Sequence, residues 1–236
     1  MTAIHEQIPF VYSVINKIRR DAFLTYYRMK HPGASPTDIF TLYYNRNLFG
    51  DPESRSGTGS SLQATRNLRP ELSATFERFG IESVLDVPCG DFNWMKALDW
   101  SRIRYLGGDI VEDMIRKNQA EHGSGNISFQ VLDILQGNLP TCDLVICRDL
   151  FIHFDNQSIA TALRRIGESK PKLVGLTQFN ATRANKDIRI GSFRPVNLMA
   201  APFNLPPPVH VIKDTDYIDI WGKTLSFWTP ENFAGI

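Results

Sequence analysis

Acidic residues close three successive apolar segments of this chain at a nearly constant interval. The apolar segments span residues 83–87, 104–110 and 127–134, and their acids are Asp86, Asp109 and Asp133. The intervals between the acids are 109 − 86 = 23 and 133 − 109 = 24 residues, which fits one strand plus one helix. A chain that alternates strands with helices forms right-handed crossovers and a mainly parallel sheet. Because the carboxyl ends of neighbouring parallel strands share one rim, the three carboxylates are expected to line a single crevice.

The remaining apolar segments complete the sheet. The fourth to seventh strands are predicted at residues 143–149, 172–177, 209–212 and 217–227. The last two are expected to pair as an antiparallel hairpin on the sheet edge, where Trp221 and Trp228 would pack. We therefore predict an α/β, Rossmann-like fold with a seven-stranded, mainly parallel sheet.

The first 50 residues have a different pattern, which predicts helices rather than strands. Apolar and aromatic side chains recur there at helical spacing, namely Val11, Ile15, Ile18, Phe23, Tyr26, Tyr27 and Met29. After a loop that contains proline and glycine, Thr37 is predicted to cap a second short helix. Two interpretations of residues 1–50 remain open, a helical cover over one edge of the core and a lid over a substrate pocket. Residues 51–236 are then the main domain.

The composition restricts the partners of such a domain. Hydrophobic residues make up 42% of the 236, and 26 basic against 25 acidic side chains give a net charge of +1. A near-neutral chain lacks the basic surface that nucleic acids require. The three cysteines form no CxxC pair and predict a reduced, cytoplasmic protein. No apolar run approaches the length of a membrane span, and the scattered histidines indicate no metal site.

The turn after the first strand carries the most specific motif. Residues 86–95 read DVPCGDFNWM, with an acid four positions before Gly90. This turn resembles the first motif of class I, Rossmann-like methyltransferases that use S-adenosylmethionine. A dinucleotide-binding turn needs three glycines to bring its backbone against a pyrophosphate, and this turn has one. A nicotinamide-dependent oxidoreductase is therefore the weaker alternative. A non-catalytic module that keeps the cofactor pocket is another.

The resemblance implies a set of contacts with S-adenosylmethionine. Asp109 would accept from the ribose hydroxyls, and Asp133 from the adenine amino group. By charge, Asp86 suits the ammonium group of the cofactor. The loop at 56–61, which reads SGTGSS, offers donors to its carboxylate, although a solvated linker explains that composition equally well. Gly90 is expected to leave room for the cofactor. The predicted cofactor-binding residues are Ser56, Gly57, Ser60, Asp86, Pro88, Gly90, Asp109, Ile110, Asp133 and Ile134.

The segment after the fourth strand supplies the candidate catalytic residues Arg148, Asp149 and His153. Methyl transfer to an alcohol requires removal of the acceptor's proton, and a histidine with an ordinary pKa of about 6.5 is suited to that. We therefore predict His153 as the general base, with Asp149 orienting it or contacting the substrate. The alternatives are that His153 only packs in the core and that Arg148 only pairs with an acid of the rim.

The acceptor is predicted less directly. The basic stretch at 181–197 follows the fifth strand, and its Arg183, Arg189 and Arg194 are candidates for binding a substrate phosphate or carboxylate, although a solvated loop explains them equally well. The VPCGD and SGTGSS sequences also resemble a bacterial subgroup linked to modification of cell-surface polysaccharides. That resemblance implies O-methylation of a small or saccharide-linked acceptor, phosphorylated or not. N-methylation and a homodimer formed through the N-terminal helices stay open.

Overall fold

The computed structural model describes residues 21–214 and 221–236, and it contains all seven predicted strands. The strands are β1 (Ser83–Asp86), β2 (Arg104–Asp109), β3 (Ile127–Val131), β4 (Leu144–Cys147), β5 (Leu173–Phe179), β6 (His210–Lys213) and β7 (Lys223–Trp228). The helices are α1 (21–30), α2 (Pro36–Arg46), α3 (Leu68–Arg78), α4 (Glu112–His122) and α5 (Asn156–Glu168). The third strand is shorter than predicted, so Asp133 lies two positions beyond its end.

The strands form one sheet in the order β3-β2-β1-β4-β5-β7-β6. Strands β1 to β5 pair in parallel, and β7 pairs antiparallel with both β5 and β6. This confirms the predicted seven-stranded, mainly parallel fold with an antiparallel hairpin at its end. Trp228 is fully buried as expected, whereas Trp221 is 48% exposed and packs only in part. The predicted beginning of the last strand, at residues 217–220, lies outside the described residues.

The centre of the sheet is covered on both faces. Strands β1, β4 and β5 are buried along their whole length. Side chains alternate between the two faces of a strand, so Leu85 belongs to the apolar cluster under α5, whereas its neighbour Val84 belongs to the cluster under α3 and α4. Because both faces are occupied, a polar side chain on a central strand reaches an open space only at the strand's end.

Helix α2 begins two residues earlier than the sequence predicted. Ser35, and not Thr37, caps it: the Ser35 side chain accepts a hydrogen bond from the Asp38 backbone N–H at 3.2 Å, and the Asp38 carboxylate accepts from the Ser35 N–H at 2.8 Å. Pro36 explains the correction, since its fixed φ angle favours the first position of a helix. Thr37 is consequently inside the helix.

Helix α1 packs on α2 through a small cluster of Leu24, Ile39 and Tyr43. The predicted apolar face of α1 is wrong at Tyr26 and Met29, which are 58% and 76% exposed. Val11, Ile15 and Ile18 lie outside the described residues. No helix within residues 21–214 and 221–236 is both long and apolar enough to cross a membrane.

The two N-terminal helices are attached to a loop that follows β5. The Tyr43 hydroxyl donates to the Gly191 carbonyl at 2.6 Å, and the Arg28 side chain donates to the Ile190 carbonyl. These bonds place α2 beside the carboxyl ends of the central strands. The division of the chain into a cover, 1–50, and a main domain, 51–236, stays a prediction.

Candidate active site

A cavity of about 440 Å³ lies at the carboxyl ends of the parallel strands. The strand order places the segments that follow β3, β2, β1 and β4 side by side along it. Every predicted cofactor-binding and catalytic residue lines this cavity: Ser56, Gly57, Ser60, Asp86, Pro88, Gly90, Asp109, Ile110, Asp133, Ile134, Arg148, Asp149 and His153. Its volume is within the usual range for small-molecule sites, roughly 300–1,000 Å³.

Asp109 stands at the end of β2 and is held by backbone amides. One carboxylate oxygen accepts from the Gly90 N–H at 3.2 Å and the other from the Val111 N–H at 3.0 Å. The residue is 6% exposed. Burial raises the pKa of Asp109 to about 6, although the backbone hydrogen bonds work in the opposite direction. Each oxygen of a carboxylate has a second lone pair, so the group can still accept from a ligand.

Asp86, at the end of β1, is 2% exposed. The Tyr105 hydroxyl, from β2, donates to one of its oxygens at 2.7 Å. Burial raises the pKa of Asp86 to about 7, while the hydrogen bond from Tyr105 and the charge of Arg148 lower it. Two buried acids with raised pKa values thus lie on neighbouring strands, and a cation in the cavity would stabilise their charged forms.

Asp133 organises the turn after β3. One of its oxygens accepts from the Leu135 backbone N–H, and the other from the Gln136 side chain, both at 2.9 Å. Asp133 is partly exposed, and the adjacent Ile134 is 3% exposed. The turn therefore brings an acidic acceptor and an apolar side chain together at the β3 end of the cavity.

The loop before the sheet is fastened to the turn after β1 through Asp91. The Asp91 carboxylate accepts from the Ser56 hydroxyl at 3.1 Å and from the Arg55 backbone N–H at 2.7 Å. The Ser56 hydroxyl oxygen in turn accepts from the Asp91 N–H at 3.0 Å. A Cβ atom at Gly90, whose φ is +56°, would lie 2.1 Å from the Ser56 hydroxyl oxygen. The contact with Ser56 is thus one reason for a glycine at position 90, and the predicted approach of the cofactor to Gly90 stays a prediction.

A network of four charged side chains, of which Arg148 and Asp214 are buried and Asp149 and Lys223 partly buried, lies at the end of β4. Arg148 binds Asp214 through two nitrogens, at 2.9 and 2.7 Å, and lies 3.3 Å from Asp149. Lys223 lies between the two acids, 2.8 Å from Asp149 and 3.2 Å from Asp214. Burial alone would raise the pKa of Asp149, but the charges of Lys223 and Arg148 outweigh it and hold that pKa well below its ordinary value. Two cations and two anions thus neutralise one another.

The alternative interpretation of Arg148, an ion pair with an acid, agrees with this network. Arg148 also donates to the Gly59 carbonyl at 2.9 Å, and its guanidinium lies 5.2 Å from the centre of the Trp94 ring. It therefore ties the loop at 56–61 to the end of β4. The sequence analysis missed Asp214 and Lys223. The position of Asp214 just after a predicted strand was a weak signal for it.

His153 is 7% exposed and has a defined orientation. Its Nδ1 lies 2.8 Å from the Ser192 carbonyl oxygen. A carbonyl only accepts hydrogen bonds, so Nδ1 carries a proton, and in the neutral ring Nε2 holds the lone pair. The rings of Phe49, Phe193 and Phe40 lie 5.4, 6.1 and 6.4 Å from the imidazole, centre to centre.

The predicted substrate arginines lie outside the residues that line the cavity. Arg183 and Arg189 are exposed. Arg194 is 5% exposed, and its side chain donates to the Phe154 carbonyl at 3.2 Å and to the Asn156 side chain at 2.7 Å. The structure therefore does not bring these three side chains to the strand-end acids, and Arg194 has internal partners.

The N-terminal segment, for which the sequence left two interpretations open, contributes a wall of the cavity. Phe40 and Tyr44 of α2, with Phe49 just beyond it, line the cavity. No motif distinguishes these aromatic residues from ordinary core residues. Their position near His153 depends on how α2 docks on the loop after β5, which the local sequence does not reveal.

Comparison with known proteins identifies the type of domain. Residues 84–169 match the family model described as a methyltransferase domain. No curated protein sequence matches the chain. The match confirms a methyltransferase domain within the chain, and S-adenosylmethionine is the cofactor predicted for it.

Solved structures share the fold at low sequence identity. Magnesium protoporphyrin IX methyltransferase from Synechocystis PCC 6803, with bound S-adenosylmethionine, has a TM-score of 0.55 at 16% identity, over 83% of this chain and 97% of that one. The N-methyltransferase NodS from Bradyrhizobium japonicum WM9 has a TM-score of 0.53 at 15% identity, over 71% and 96%. The S-adenosylmethionine-dependent methyltransferase SibL has a TM-score of 0.51 at 15% identity, over 70% of this chain and 55% of that longer protein.

The sheet order separates this fold from the dinucleotide-binding alternative. A dinucleotide-binding sheet is mostly parallel and runs 3-2-1-4-5-6, with its sixth strand next to the fifth. Here the antiparallel β7 lies between β5 and β6. The fold is thus the class I methyltransferase fold that the first motif resembled.

Proposed function

We propose that this protein is an O-methyltransferase that transfers the methyl group of S-adenosylmethionine to a small hydroxylated acceptor beside His153. The observation that carries the proposal is the orientation of His153. Its Nδ1–H donates to the Ser192 carbonyl, and the ring lines the same cavity as the strand-end acids. A base of this kind is needed for an alcohol acceptor.

The residues that line the cavity fit the cofactor by charge and by hydrogen-bonding chemistry. S-adenosylmethionine supplies an electrophilic methyl group on a sulfonium, together with an ammonium, a carboxylate, a ribose diol and an adenine. The described lining has four acids and three basic side chains, namely Asp86, Asp109, Asp133, Asp149, Arg55, Arg148 and Lys223. An excess of acid suits a ligand with more positive than negative groups.

Each strand-end acid has a proposed task. Asp86 would face the ammonium, and Asp109 would accept from the diol. Asp133 and the Ile134 backbone would bind the adenine, with Ile110 and Pro88 as walls. The loop donors Ser56, Gly57 and Ser60 would bind the carboxylate. The order of the strands supports this division, because β3, β2 and β1 lie side by side in that sequence.

His153 would move one proton. As the acceptor oxygen gains the methyl group, its hydroxyl proton passes to Nε2, and the Ser192 carbonyl stabilises the resulting imidazolium through Nδ1–H. The negative charge of Asp149 favours the same charged form. Much of the remaining rate enhancement of such a displacement comes from aligning the reacting atoms, a task for the rigid loop at 56–61 and the charged network behind it.

The test is transfer of an isotope-labelled methyl group to matched alcohols and amines of the same carbon skeleton, with products identified by mass spectrometry. We expect the labelled methyl group on the oxygen of the alcohol. Transfer only to nitrogen would contradict the proposal. A protein that binds the cofactor and transfers nothing would instead be the non-catalytic module.

The finer expectations about the acceptor and its setting stay predictions. A saccharide-linked acceptor and a link to cell-surface polysaccharides depend on the resemblance of two short motifs. The phosphate or carboxylate group assigned to the substrate depends on Arg183, Arg189 and Arg194, which do not line the cavity. The cytoplasmic location and the homodimer are likewise predictions that follow from the sequence.

A further inference from the structure

The acceptor end of the cavity is walled by aromatic rings. Phe40, Phe49 and Phe193 surround His153 and are themselves only partly buried, with Phe193 39% exposed. They line the cavity, and so do Phe154 and Phe179. Partly exposed rings inside a cavity leave apolar surface for a ligand to cover, and another aromatic ring gains from edge-to-face or offset contacts with them.

The same end has no basic group to spare for an anion. Among the described residues that line the cavity, the basic side chains other than His153 are Arg55, Arg148 and Lys223. Asp149 and Asp214 neutralise the last two. Arg55 lies at the other side, on the loop proposed to hold the cofactor carboxylate. A phosphorylated or carboxylated acceptor would therefore enter a space lined by acids and neutral rings, and it would lose its hydration without gaining a cation.

The candidate base also favours one type of hydroxyl. An ordinary imidazole has a pKa of about 6.5 and a phenol one of about 10, whereas the pKa of water is about 15.7, and aliphatic hydroxyls resemble water more closely. The gap between a phenol and an ordinary imidazole is therefore about 3.5 pKa units. The gap between an aliphatic alcohol and an imidazole is much larger, so proton transfer from that alcohol is less favourable.

We propose that the acceptor is an uncharged aromatic alcohol, whose ring packs against Phe40, Phe49 and Phe193 while its hydroxyl faces His153. The proposal depends on the O-methyltransferase function and narrows its substrate class. It departs from the saccharide phosphate that the motif resemblance and the basic stretch had indicated.

The test measures acceptor binding to protein saturated with S-adenosylhomocysteine, by calorimetry, so that it does not depend on turnover. The probes are 2-naphthol, its saturated counterpart decahydro-2-naphthol, and the anionic 6-hydroxynaphthalene-2-sulfonate. Methyl glucoside and glucose 6-phosphate represent saccharides. We expect 2-naphthol to bind at least about tenfold more tightly than each of the others, since both ring contacts and the absence of charge favour it. Equal or tighter binding of the sulfonate, the saturated alcohol or either sugar would overturn the proposal, and so would no binding by any probe.

Variants of the aromatic wall separate ring contacts from general apolar binding. Phe49→Leu is expected to weaken the binding of 2-naphthol by about two- to tenfold, which corresponds to the energy of one aromatic pair. The affinity for decahydro-2-naphthol should change much less. Tyr26→Leu removes a ring that is 58% exposed on α1 and does not line the cavity, and it should leave both affinities unchanged. An equal loss for both probes in Phe49→Leu would contradict the ring contact.

Failure of this proposal can be told apart from failure of the proposed function. If S-adenosylhomocysteine does not bind, the cofactor site is wrong and the function fails. If it binds and methyl transfer to a sugar alcohol outpaces transfer to 2-naphthol, the function stands and the aromatic acceptor is wrong.

Discussion

The two ends of the cavity are stabilised in different ways. At the cofactor end, the partners of the acids are close in sequence: Val111 is two positions from Asp109, and Tyr105 is 19 from Asp86. At the acceptor end, Asp214 is 66 positions from Arg148, and Ser192 is 39 from His153. The positions of the strand-end acids therefore follow from a strand and its near neighbours. The loop at 56–61 and the acceptor end depend on packing between distant parts of the chain.

The largest difference between the two ends of the cavity is expected when His153 is replaced. His153→Gln should lower turnover by about 10²–10⁴-fold because the general base is lost, while the affinity for S-adenosylmethionine at the other end stays within about twofold of wild type. Steady-state kinetics and calorimetry measure the two quantities separately. His31→Gln, an exposed histidine on the loop before α2, is the matched control. Wild-type turnover in His153→Gln would remove the ring from the mechanism.

The charged network at the acceptor end should stabilise the folded protein as well as position its side chains. Asp214→Ala leaves buried Arg148 without its two-bond partner, and breaking a buried pair costs about 3–5 kcal/mol. For a chain of this length that lowers the melting temperature by roughly 6–20 °C. Asp113→Ala, which breaks the exposed pair with Arg116 on α4, should change the free energy of unfolding by about 0.5 kcal/mol or less. Similar shifts for both variants would show that the network adds nothing beyond a surface pair.

The cofactor end should respond to pH in the neutral range. Since burial raises the pKa of Asp86 to about 7, this carboxyl is protonated at pH 6 and mostly charged at pH 8. The affinity for S-adenosylmethionine is expected to rise about tenfold between those values, one pKa unit corresponding to about 1.4 kcal/mol. Calorimetry at both pH values measures this. Asp86→Asn should remove most of the dependence, and an equally steep profile in that variant would exclude Asp86 as its source.

Without cofactor, the same group acts on stability with the opposite sign. The folded state holds the Asp86 proton more tightly than the unfolded state does. The contribution of Asp86 to stability is therefore fully present below the ordinary aspartate pKa of about 3.9 and is lost as the pH rises towards 7. Other carboxylates contribute as well, so the measurable quantity is the difference in the free energy of unfolding between wild type and Asp86→Asn across that range.

The smallest effect is expected in the basic stretch after β5. Arg189 is exposed and lies outside the cavity lining, so Arg189→Ser should change KM for the acceptor by less than about twofold, within the usual range for surface substitutions. A larger rise in KM, with kcat unchanged, would restore the earlier prediction that this stretch binds the substrate.

The sequence was sufficient to place the strand-end acids because the information there is local. Strand periodicity located β1 to β5, and the acids at their ends fell on one rim because parallel strands share it. The same reasoning found His153 and Arg148, whose positions follow directly from β4. It could not find Lys223, Asp214 or the ring of Phe49, since nothing near them in sequence shows which distant side chain they meet.

Local capping rules also set limits at the N-terminus. Thr37 was a plausible cap, but Pro36 and the reciprocal bonds between Ser35 and Asp38 moved the start of α2. At Gly90, the sequence did not show the contact with Ser56, because the neighbour that excludes a side chain there comes from a loop more than thirty positions earlier. In both places the residue type indicated the local structure, but the sequence did not show which residue it would contact.

The central claim is that the carboxylates at the strand ends bind S-adenosylmethionine, and calorimetric titration of Asp109→Asn tests it most directly. Replacing a charged acceptor of hydrogen bonds costs about 1.5–3 kcal/mol, so the dissociation constant should rise by about 10- to 150-fold relative to wild type. Asp113→Asn, an exposed acid on α4, should bind like wild type. Unchanged affinity in Asp109→Asn would mean that the cofactor does not lie along these strand ends.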